Sequence, residues 1–325
     1  MNLNKSVLYI SGEESKNQTA QRAERLSINS EQISFLSETN LETILATISH
    51  EKPDFIIIDS VHVIYSYDLP GNAGSVSQVR YAAEKFMEYA KTKNTTILLI
   101  GHVTKDGNLA GPRLLEHHVD TVLFLDGDRY HDFRILRSQK NRFGITNEIG
   151  ILKMHEKGLE EVKNPSAHFL EGRKENAIGS CITVTLEGTR PLLVEVQALC
   201  NTTPFGYPKR TSTGYDYNRM QLLISVLQKY ARINLSNQDV FVNVVGGMKL
   251  NDPSCDLGVL TAIASSFLKK PVPSDTIFVG EVGLSGETRS VNQIEKRIKE
   301  AKKLGFEKVI TPKEAKDINA ALKLF

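Results

Sequence analysis

Side chains that can bind metals or move protons follow directly after short apolar runs of this sequence. The run Asp54–Asp59 (DFIIID) ends in a carboxylate, and Glu13 and Glu14 follow the run Ser6–Ser11 (SVLYIS). A carboxylate at the tip of a strand can help to hold Mg²⁺ beside phosphates, and a second one can deprotonate an attacking water. The same residues also suit a turn or the first turn of a helix, so their types alone leave both interpretations open.

A histidine and a polar loop follow a third apolar run. His102 comes after Thr95–Gly101 (TTILLIG), where a polar side chain can hydrogen-bond a terminal phosphate, although a lone histidine is more often structural. The loop beyond it carries Lys105 and Arg113, and such cations in a loop suit contact with a nucleic-acid backbone. A solvated loop without a ligand explains the same residues.

The segment Lys140–Gly144 (KNRFG) combines two cations, an amide and an aromatic ring. Lys140 and Arg142 can bind phosphates by charge, while Phe143, beside the amide of Asn141, can stack on a base. A cation of this kind can also reach the nucleotide of a neighbouring subunit, as an arginine finger does. A basic strand edge without a ligand is the plain alternative.

One segment typical of ATP-binding enzymes is missing from this sequence. No G-x-x-x-x-G-K-[ST] occurs, which is the loop whose backbone amides and lysine hold the phosphates. An aspartate placed to bind magnesium is an incomplete nucleotide site without that loop.

Alternating strands and helices must position these side chains. Unbroken apolar runs such as Asp54–Asp59 are typical of parallel strands that helices cover on both faces. Near Asn164-Pro165 the pattern changes to paired strands, which a helix over Asn218–Tyr230 follows. We therefore expect the fold class α/β, with one domain over residues 1–171 and a second over residues 172–325.

Two helices are predicted from apolar residues that share one face. The first begins after Ser75, which can cap it, and the second ends before Gly305. The first stripe consists of Val76, Val79, Ala83, Phe86 and Ala90. The second stripe consists of Val291, Ile294, Ile298, Ala301 and Leu304.

The composition excludes several classes of protein. Of the 325 residues, 40% are hydrophobic and 24% are charged, as in soluble globular proteins. No apolar run approaches the roughly 18 residues of a membrane span, so no membrane association is expected. Three distant cysteines without a CxxC pair argue against a zinc module and fit the cytoplasm. The net charge of +2 is too small to indicate nucleic-acid binding by itself.

These motifs, in this order, resemble the RadA/Sms family of bacterial recombination and repair proteins. The likeness extends over essentially the whole chain. In the first half it rests on VLYISGEES, IIIDS, GSVSQVR, GHVTKDGNLAGPRLLEHHVD, KNRFG and NPSAHFL. In the second half it rests on EGTRPLLVEVQAL, QDVFVNVVGGMKL and FVGEVGLSGETR.

The resemblance implies a RecA-like ATPase core over residues 1–171 and a Lon-protease-like domain over residues 172–325. It implies a homohexamer that uses ATP and Mg²⁺, binds single-stranded or branched DNA, and drives branch migration with a RecA-type recombinase. In that family a zinc finger and the phosphate-binding loop precede the strand that corresponds to VLYIS, so zinc is expected only there. A catalytically inactive, ring-forming DNA-binding or scaffold fragment is the alternative, because the loop is absent.

The same resemblance implies a role for each candidate residue. Asp59 would hold Mg²⁺ through the nucleotide, and Glu13 would be the catalytic base, with Glu14 as the alternative. His102 would sense the terminal phosphate. Two cations would serve both nucleotide and DNA: Lys140 and Arg142. The other DNA-contacting residues would be Lys105, Arg113, Asn141 and Phe143.

The Lon-like half raises the question of peptidase activity. Lon-type hydrolysis needs a serine that a lysine activates, and Ser254 lies at the position of that serine. The lysine position falls on Glu295, and Lys296 would be turned by about 100° around the helix. We therefore expect no protease activity.

Overall fold

The computed structural model of the protein describes residues 5–28, 33–102, 115–127, 133–146, 148–204 and 206–325. The two loop cations predicted to contact DNA, Lys105 and Arg113, lie outside the described residues. Over the described ranges, no helix is long and apolar enough to cross a membrane.

The chain forms two compact units. The first comprises Met1–Phe124, Ser138–Thr146 and Met154–Leu159, and the second comprises Leu125–Arg137, Asn147–Lys153 and Glu160–Phe325. The predicted domain boundary between residues 171 and 172 stays a prediction.

The first unit contains a parallel sheet with helices between its strands. The strands are β1 Val7–Ser11, β2 Ile33–Ser37, β3 Phe55–Asp59 and β4 Thr96–Ile100. The helices are α1 Lys16–Arg25, α2 Leu41–Glu51 and α3 Val76–Lys93. The strand order is β2-β1-β3-β4, and all neighbours pair in parallel. This pairing confirms the α/β fold class.

Side chains alternate along β1 and β3, which gives the sheet two different faces. The apolar face, which packs in one core cluster with residues of α2 and α3, includes Leu8, Ile10, Ile56 and Ile58. Ser11 pairs with Asp59 across the two strands, so both side chains lie on the opposite face. Tyr9 lies two positions before Ser11 and therefore shares that face.

Helix α3 departs from its predicted stripe in the first turn. Three stripe residues are buried as predicted: Val79, Ala83 and Phe86. Val76, however, is 45% exposed, and Ser75 makes no side-chain capping bond. Gln78 is buried instead, because the loop before α3 needs hydrogen-bond partners. Its Oε1 accepts from the Ser66 amide at 2.9 Å, and its Nε2 donates to the Leu69 carbonyl at 2.7 Å.

A second four-stranded sheet follows in the chain. Its strands, in spatial order, are β5 Thr121–Gly127, β6 Phe133–Asn141, β7 Ile149–His155 and β8 Gly158–Glu161. Strand β6 ends at Asn141, so Lys140 and Asn141 are strand residues and the tight turn begins with Arg142.

The second unit is built on a six-stranded mixed sheet. Its strands are β9 Ser180–Glu187, β10 Arg190–Thr202, β11 Arg210–Thr213, β12 Gln238–Val244, β13 Thr276–Phe278 and β16 Lys308–Ile310. A short hairpin consists of β14 Glu281–Val282 and β15 Thr288–Arg289. The order in the large sheet is β11-β12-β10-β9-β13-β16.

Helices pack against this sheet and form the largest core of the chain. They are α4 Pro165–Phe169, α5 Tyr217–Tyr230, α6 Asp256–Leu268, α7 Ile294–Lys303 and α8 Ile318–Leu322. Helix α6 is buried along its first ten residues, Asp256 to Ser265. Helix α7 begins at Ile294 rather than at Val291, and its fully buried residues are Arg297 and Ala301.

Candidate active site

The register of the parallel sheet brings three strand ends together. Ser11 pairs with Asp59, and Asp59 pairs with Ile100, so β1, β3 and β4 end at the same level. The residues that follow are Glu13, Ser60 and His102. Open α/β sheets bind ligands outside the carboxyl ends of their strands, so this edge is the expected place for a site.

Glu13 contacts both Ser60 and His102, and we call these three residues the strand-end cluster. Its Oε1 accepts a hydrogen bond from the Ser60 hydroxyl at 2.5 Å and lies 3.6 Å from Nε2 of His102. The side chains of Glu13 and His102 remain 42% and 61% exposed, so both are accessible to a ligand. The structure therefore joins the predicted base, the predicted phosphate sensor and the residue after the predicted magnesium ligand.

Asp59 has a partner that the sequence did not reveal. The Tyr9 hydroxyl donates a hydrogen bond to Oδ2 of Asp59, across the pair β1 and β3. Burial and, secondly, this carboxylate raise the pKa of Tyr9 well above its ordinary value, so the phenol keeps its proton. The peptide bond between Asp59 and Ser60 is cis.

Glu14 forms an ion pair with a residue of α1. Its Oε1 accepts from the Arg22 guanidinium of α1, and its backbone amide donates to Ser11 Oγ at 3.1 Å. Its other oxygen, Oε2, is buried without a hydrogen-bond partner among the described residues. Of the two adjacent acids, Glu13 is the one that contacts Ser60 and His102.

His62 is a second residue that sequence reasoning missed. Its Nε2 is buried without a hydrogen-bond partner in the described part of the chain, and a Cβ at Gly101 would lie 3.3 Å from it. Burial and the neighbouring His102 lower the pKa of His62, while Glu13 opposes that change. The sequence offered no signal, because His62 follows Asp59 in a stretch of apolar residues.

The residues of the KNRFG segment bond to the segment 116–120, which precedes β5. Lys140 Nζ donates to the Glu116 carbonyl at 2.6 Å, and Arg142 NH1 donates to Asp120 Oδ1 at 2.9 Å. Asn141 Oδ1 accepts from the Phe143 amide at 3.1 Å, which fixes the turn.

The aromatic ring of that turn is exposed to solvent. Phe143 is 83% exposed, and Ile145 beside it is 62% exposed. Among the described residues, the hydrogen bonds of this segment run to residues 116–121 and not to Glu13 or His102. The turn and the strand-end cluster are thus two separate candidate sites.

Ser254 is enclosed by protein groups. It is fully buried, and its Oγ donates to the Val184 carbonyl at 3.0 Å while it accepts from Arg297 NH1 at 2.7 Å. The same guanidinium donates to Asp252 Oδ2 at 2.6 Å. This geometry leaves Ser254 neither exposed nor next to a lysine.

The residue that contacts Ser254 is one that the sequence did not indicate. Glu295, at the expected lysine position, is exposed and pairs with Lys313 at 3.8 Å. Arg297 points inward instead, two residues further along α7. A charged residue inside an apolar stripe gives no sequence signal, because the stripe predicts only apolar side chains inward.

Comparison with known proteins adds the family. The DNA repair protein RadA of Bacillus subtilis is 53% identical over 307 residues, which cover 94% of this chain and 67% of that protein. RadA of Streptococcus pneumoniae is 54% identical over 310 residues, which cover 95% of this chain and 74% of that protein. This chain belongs to the RadA family of DNA repair proteins. RadA of Listeria monocytogenes is 52% identical over 310 residues, or 95% of this chain and 68% of that protein.

A family model matches part of the second half of this RadA-family chain. The model described as subunit ChlI of Mg-chelatase covers residues 216–315. The matched region contains Asp252, Ser254 and Arg297, and it lies wholly in the second unit and in the predicted Lon-like domain.

Proposed function

We propose that the chain is a subunit of a DNA-dependent ATPase of recombinational DNA repair, which promotes branch migration with a RecA-type recombinase. The observation that carries the proposal is the meeting of Glu13, Ser60 and His102 beside Asp59 at one end of a parallel sheet. Membership of the RadA family supports the repair context. The family resemblance supports a homohexamer that acts on single-stranded or branched DNA.

ATP with Mg²⁺ fits the described side chains at this edge. Two buried polar atoms there, Glu14 Oε2 and His62 Nε2, have no hydrogen-bond partner in the described part of the chain. Such atoms are typical of sites that a ligand or water completes. Asp59 would hold the metal, and bound Mg–ATP supplies the polarised phosphoryl group. The sequence has no counterpart of the loop that would hold the other phosphates.

Glu13 is the side chain placed to accept a proton. The Ser60 hydroxyl fixes one of its oxygens, so the carboxylate keeps its direction while its exposed surface faces solvent. A water held against Glu13 would lose its proton to the carboxylate as it attacks. His102, 3.6 Å from Glu13, would bind a phosphate oxygen and transmit its presence to the predicted DNA-contacting residues that follow in the sequence.

The turn at Arg142 and Phe143 supplies the proposed DNA contact. An exposed aromatic ring can stack on a base, and an adjacent guanidinium can bind a phosphate. Lys140 and Arg142 would also couple DNA binding to hydrolysis, by reaching the nucleotide of an adjacent subunit. Their present partners, Glu116 and Asp120, would have to be exchanged for that contact.

A second function has one observation in its favour. Without a phosphate-binding loop in the sequence, the chain would act as an inactive, ring-forming DNA-binding or scaffold protein. ATP hydrolysis with and without single-stranded DNA separates the two functions. The assay compares the chain with a chimera that carries the upstream segment of the Bacillus subtilis relative.

We expect the chimera to hydrolyse ATP faster with DNA, and to lose that activity on Asp59→Asn or Lys140→Ala. Hydrolysis by neither protein, with DNA binding intact, would favour the scaffold function.

A further inference from the structure

We propose that Tyr9 is a positioning residue that holds the Asp59 carboxylate in the direction needed to bind the metal of a metal–nucleotide complex. The inference rests on the proposed function, which it extends from the acidic residue itself to the group behind it. The hydroxyl of Tyr9 donates to Oδ2 of Asp59, and this leaves Oδ1 for the metal or for one of its waters.

The strand register places the Tyr9 hydroxyl beside Asp59. Tyr9 and Asp59 lie on the same face of neighbouring parallel strands, since Ser11 pairs with Asp59 and Tyr9 pairs with Ile57. The side chain of Tyr9 therefore runs diagonally toward the strand end. Its ring packs against Phe35 of β2, with centroids 5.7 Å apart and planes at 58°, which restricts its rotation.

Asp59 depends on this one contact. Among the described residues, the Tyr9 hydroxyl is the donor that the structure gives to the Asp59 carboxylate. The neighbouring hydroxyl, Ser60 Oγ, is directed to Glu13 instead. Without Tyr9 the carboxylate would rotate about its terminal torsion, which is broad in aspartate.

A hydrogen-bond partner behind a metal ligand has a measurable effect on metal binding. Partners of this kind fix the ligand's orientation, and removing one lowers metal affinity about 10- to 100-fold in metalloproteins. A residue that acts in this way affects the metal-dependent part of nucleotide binding. A residue that only stabilises the fold affects nucleotide binding with and without metal.

The test measures binding of Mn²⁺ and ADP to the full chain joined to the upstream segment of the Bacillus subtilis relative, the chimera described above, with Mn²⁺ as the paramagnetic substitute for Mg²⁺. Electron paramagnetic resonance gives the Mn²⁺ affinity in the presence of ADP, and calorimetry gives the ADP affinity in EDTA. Tyr9→Phe keeps the ring and removes only the hydroxyl. Tyr89→Phe is the matched control, because its hydroxyl donates to the Ile48 carbonyl at 2.9 Å in the same unit but away from the strand ends.

We expect Tyr9→Phe to weaken Mn²⁺ binding about tenfold or more, with ADP affinity in EDTA unchanged and Tyr89→Phe like wild type. Mn²⁺ affinity equal to wild type in Tyr9→Phe, while Asp59→Asn loses the metal, would overturn the inference and leave the proposed function standing. Equal losses with and without metal would also overturn it. A wild-type chimera without metal-dependent ADP binding would overturn the proposed function, and the role of Tyr9 with it.

Discussion

Arg297 is a fully buried cation whose partners are all supplied by the second unit. Its guanidinium contacts Asp252, Ser254 and the Val184 carbonyl, so its charge is compensated inside the protein. A serine enclosed in this way is a structural residue. Ser254 therefore belongs to the packing of the strand β9, and the expectation that this half has no peptidase activity stays a prediction that the geometry supports.

We expect Arg297→Met to lower the free energy of unfolding by about 3–5 kcal/mol, because Asp252 would keep its charge without its partner. Ser254→Ala removes a neutral hydroxyl and should lower it by only about 1 kcal/mol. Urea unfolding followed by circular dichroism measures both. The matched control is Arg289→Met, whose side chain is 62% exposed and pairs with Glu287, and which should change little. Arg297→Met with wild-type stability would contradict the structural role.

The pKa of Asp252 gives a prediction about acid stability. Burial would raise this pKa, but hydrogen bonds from the Ser254 amide and the Arg297 side chain outweigh burial and lower it. A carboxyl with a lowered pKa stabilises the fold above its ordinary value of 3.8 and loses that contribution as the pH falls through the folded value. Wild type should thus exceed Asp252→Asn in stability at pH 6, and the difference should shrink below about pH 4. A stability difference between wild type and Asp252→Asn that grows toward low pH would contradict this prediction.

At the scale of elements, the turn after β6 presents Phe143 without burying it. We expect Phe143→Ala to weaken binding of single-stranded DNA by about 1–3 kcal/mol, the effect of one stacked base, and to leave the unfolding free energy unchanged. Fluorescence anisotropy with a labelled oligothymidine measures the affinity. Ile145→Ala is the control, since it removes an exposed aliphatic side chain from the same turn. Equal affinities of Phe143→Ala and wild type would exclude stacking at this turn.

Helix α3 and the loop before it form another element with a definite test. Gln78 bonds the Ser66 amide and the Leu69 carbonyl, so Gln78→Ala would leave buried backbone groups without partners. We expect a loss of about 1–3 kcal/mol in stability and faster protease cleavage within residues 66–74. Arg80→Ala, an exposed change on the same helix, should behave like wild type. Unchanged cleavage of Gln78→Ala would show that the loop is held by other contacts.

The strands and their terminal acids could be predicted from sequence, because a continuous apolar run that ends in a carboxylate is a local pattern. Asp59 was selected because it ends such a run, and Glu13 and His102 because each follows one. The structure brings all three to one sheet edge. Tyr9 could not be selected, since a tyrosine within an apolar run is predicted to be a core residue. Its contact with Asp59 spans 50 residues of sequence and depends on strand register.

Buried polar residues were missed for a related reason. Gln78 and Arg297 lie on helix faces where periodicity predicts apolar side chains. Gln78 is buried because the loop before its helix supplies its partners, and Arg297 because a segment 45 residues away does. The amphipathic pattern records which face is inward and not which polar groups that face must satisfy. The predicted cap at Ser75 is also absent. The Ser75 hydroxyl lies 3.3 Å from Ser77 Oγ instead of accepting a hydrogen bond from the helix amides.

At the scale of the whole molecule, the chain combines the strand-end cluster, for which we propose nucleotide chemistry, with a unit that contains a region matched by the ChlI model. The two parts differ in what their polar residues do. The first keeps Glu13 and His102 partly exposed and leaves two buried polar atoms unpartnered at the sheet edge, within the described ranges. The second encloses Ser254 and Arg297 completely. Chemistry is therefore expected in the first unit and not at Ser254.

The most direct test of this account is phosphate release from ATP, with single-stranded DNA present, by the chimera and its Glu13→Gln and Glu14→Gln variants. The account predicts that Glu13→Gln slows turnover at least about 100-fold while DNA affinity stays the same, because the general base is lost. Glu14→Gln should retain most of the rate, since that carboxylate is paired with Arg22. Turnover at the wild-type rate in Glu13→Gln, or a selective loss in Glu14→Gln, would contradict the assignment of the strand-end cluster as the catalytic centre.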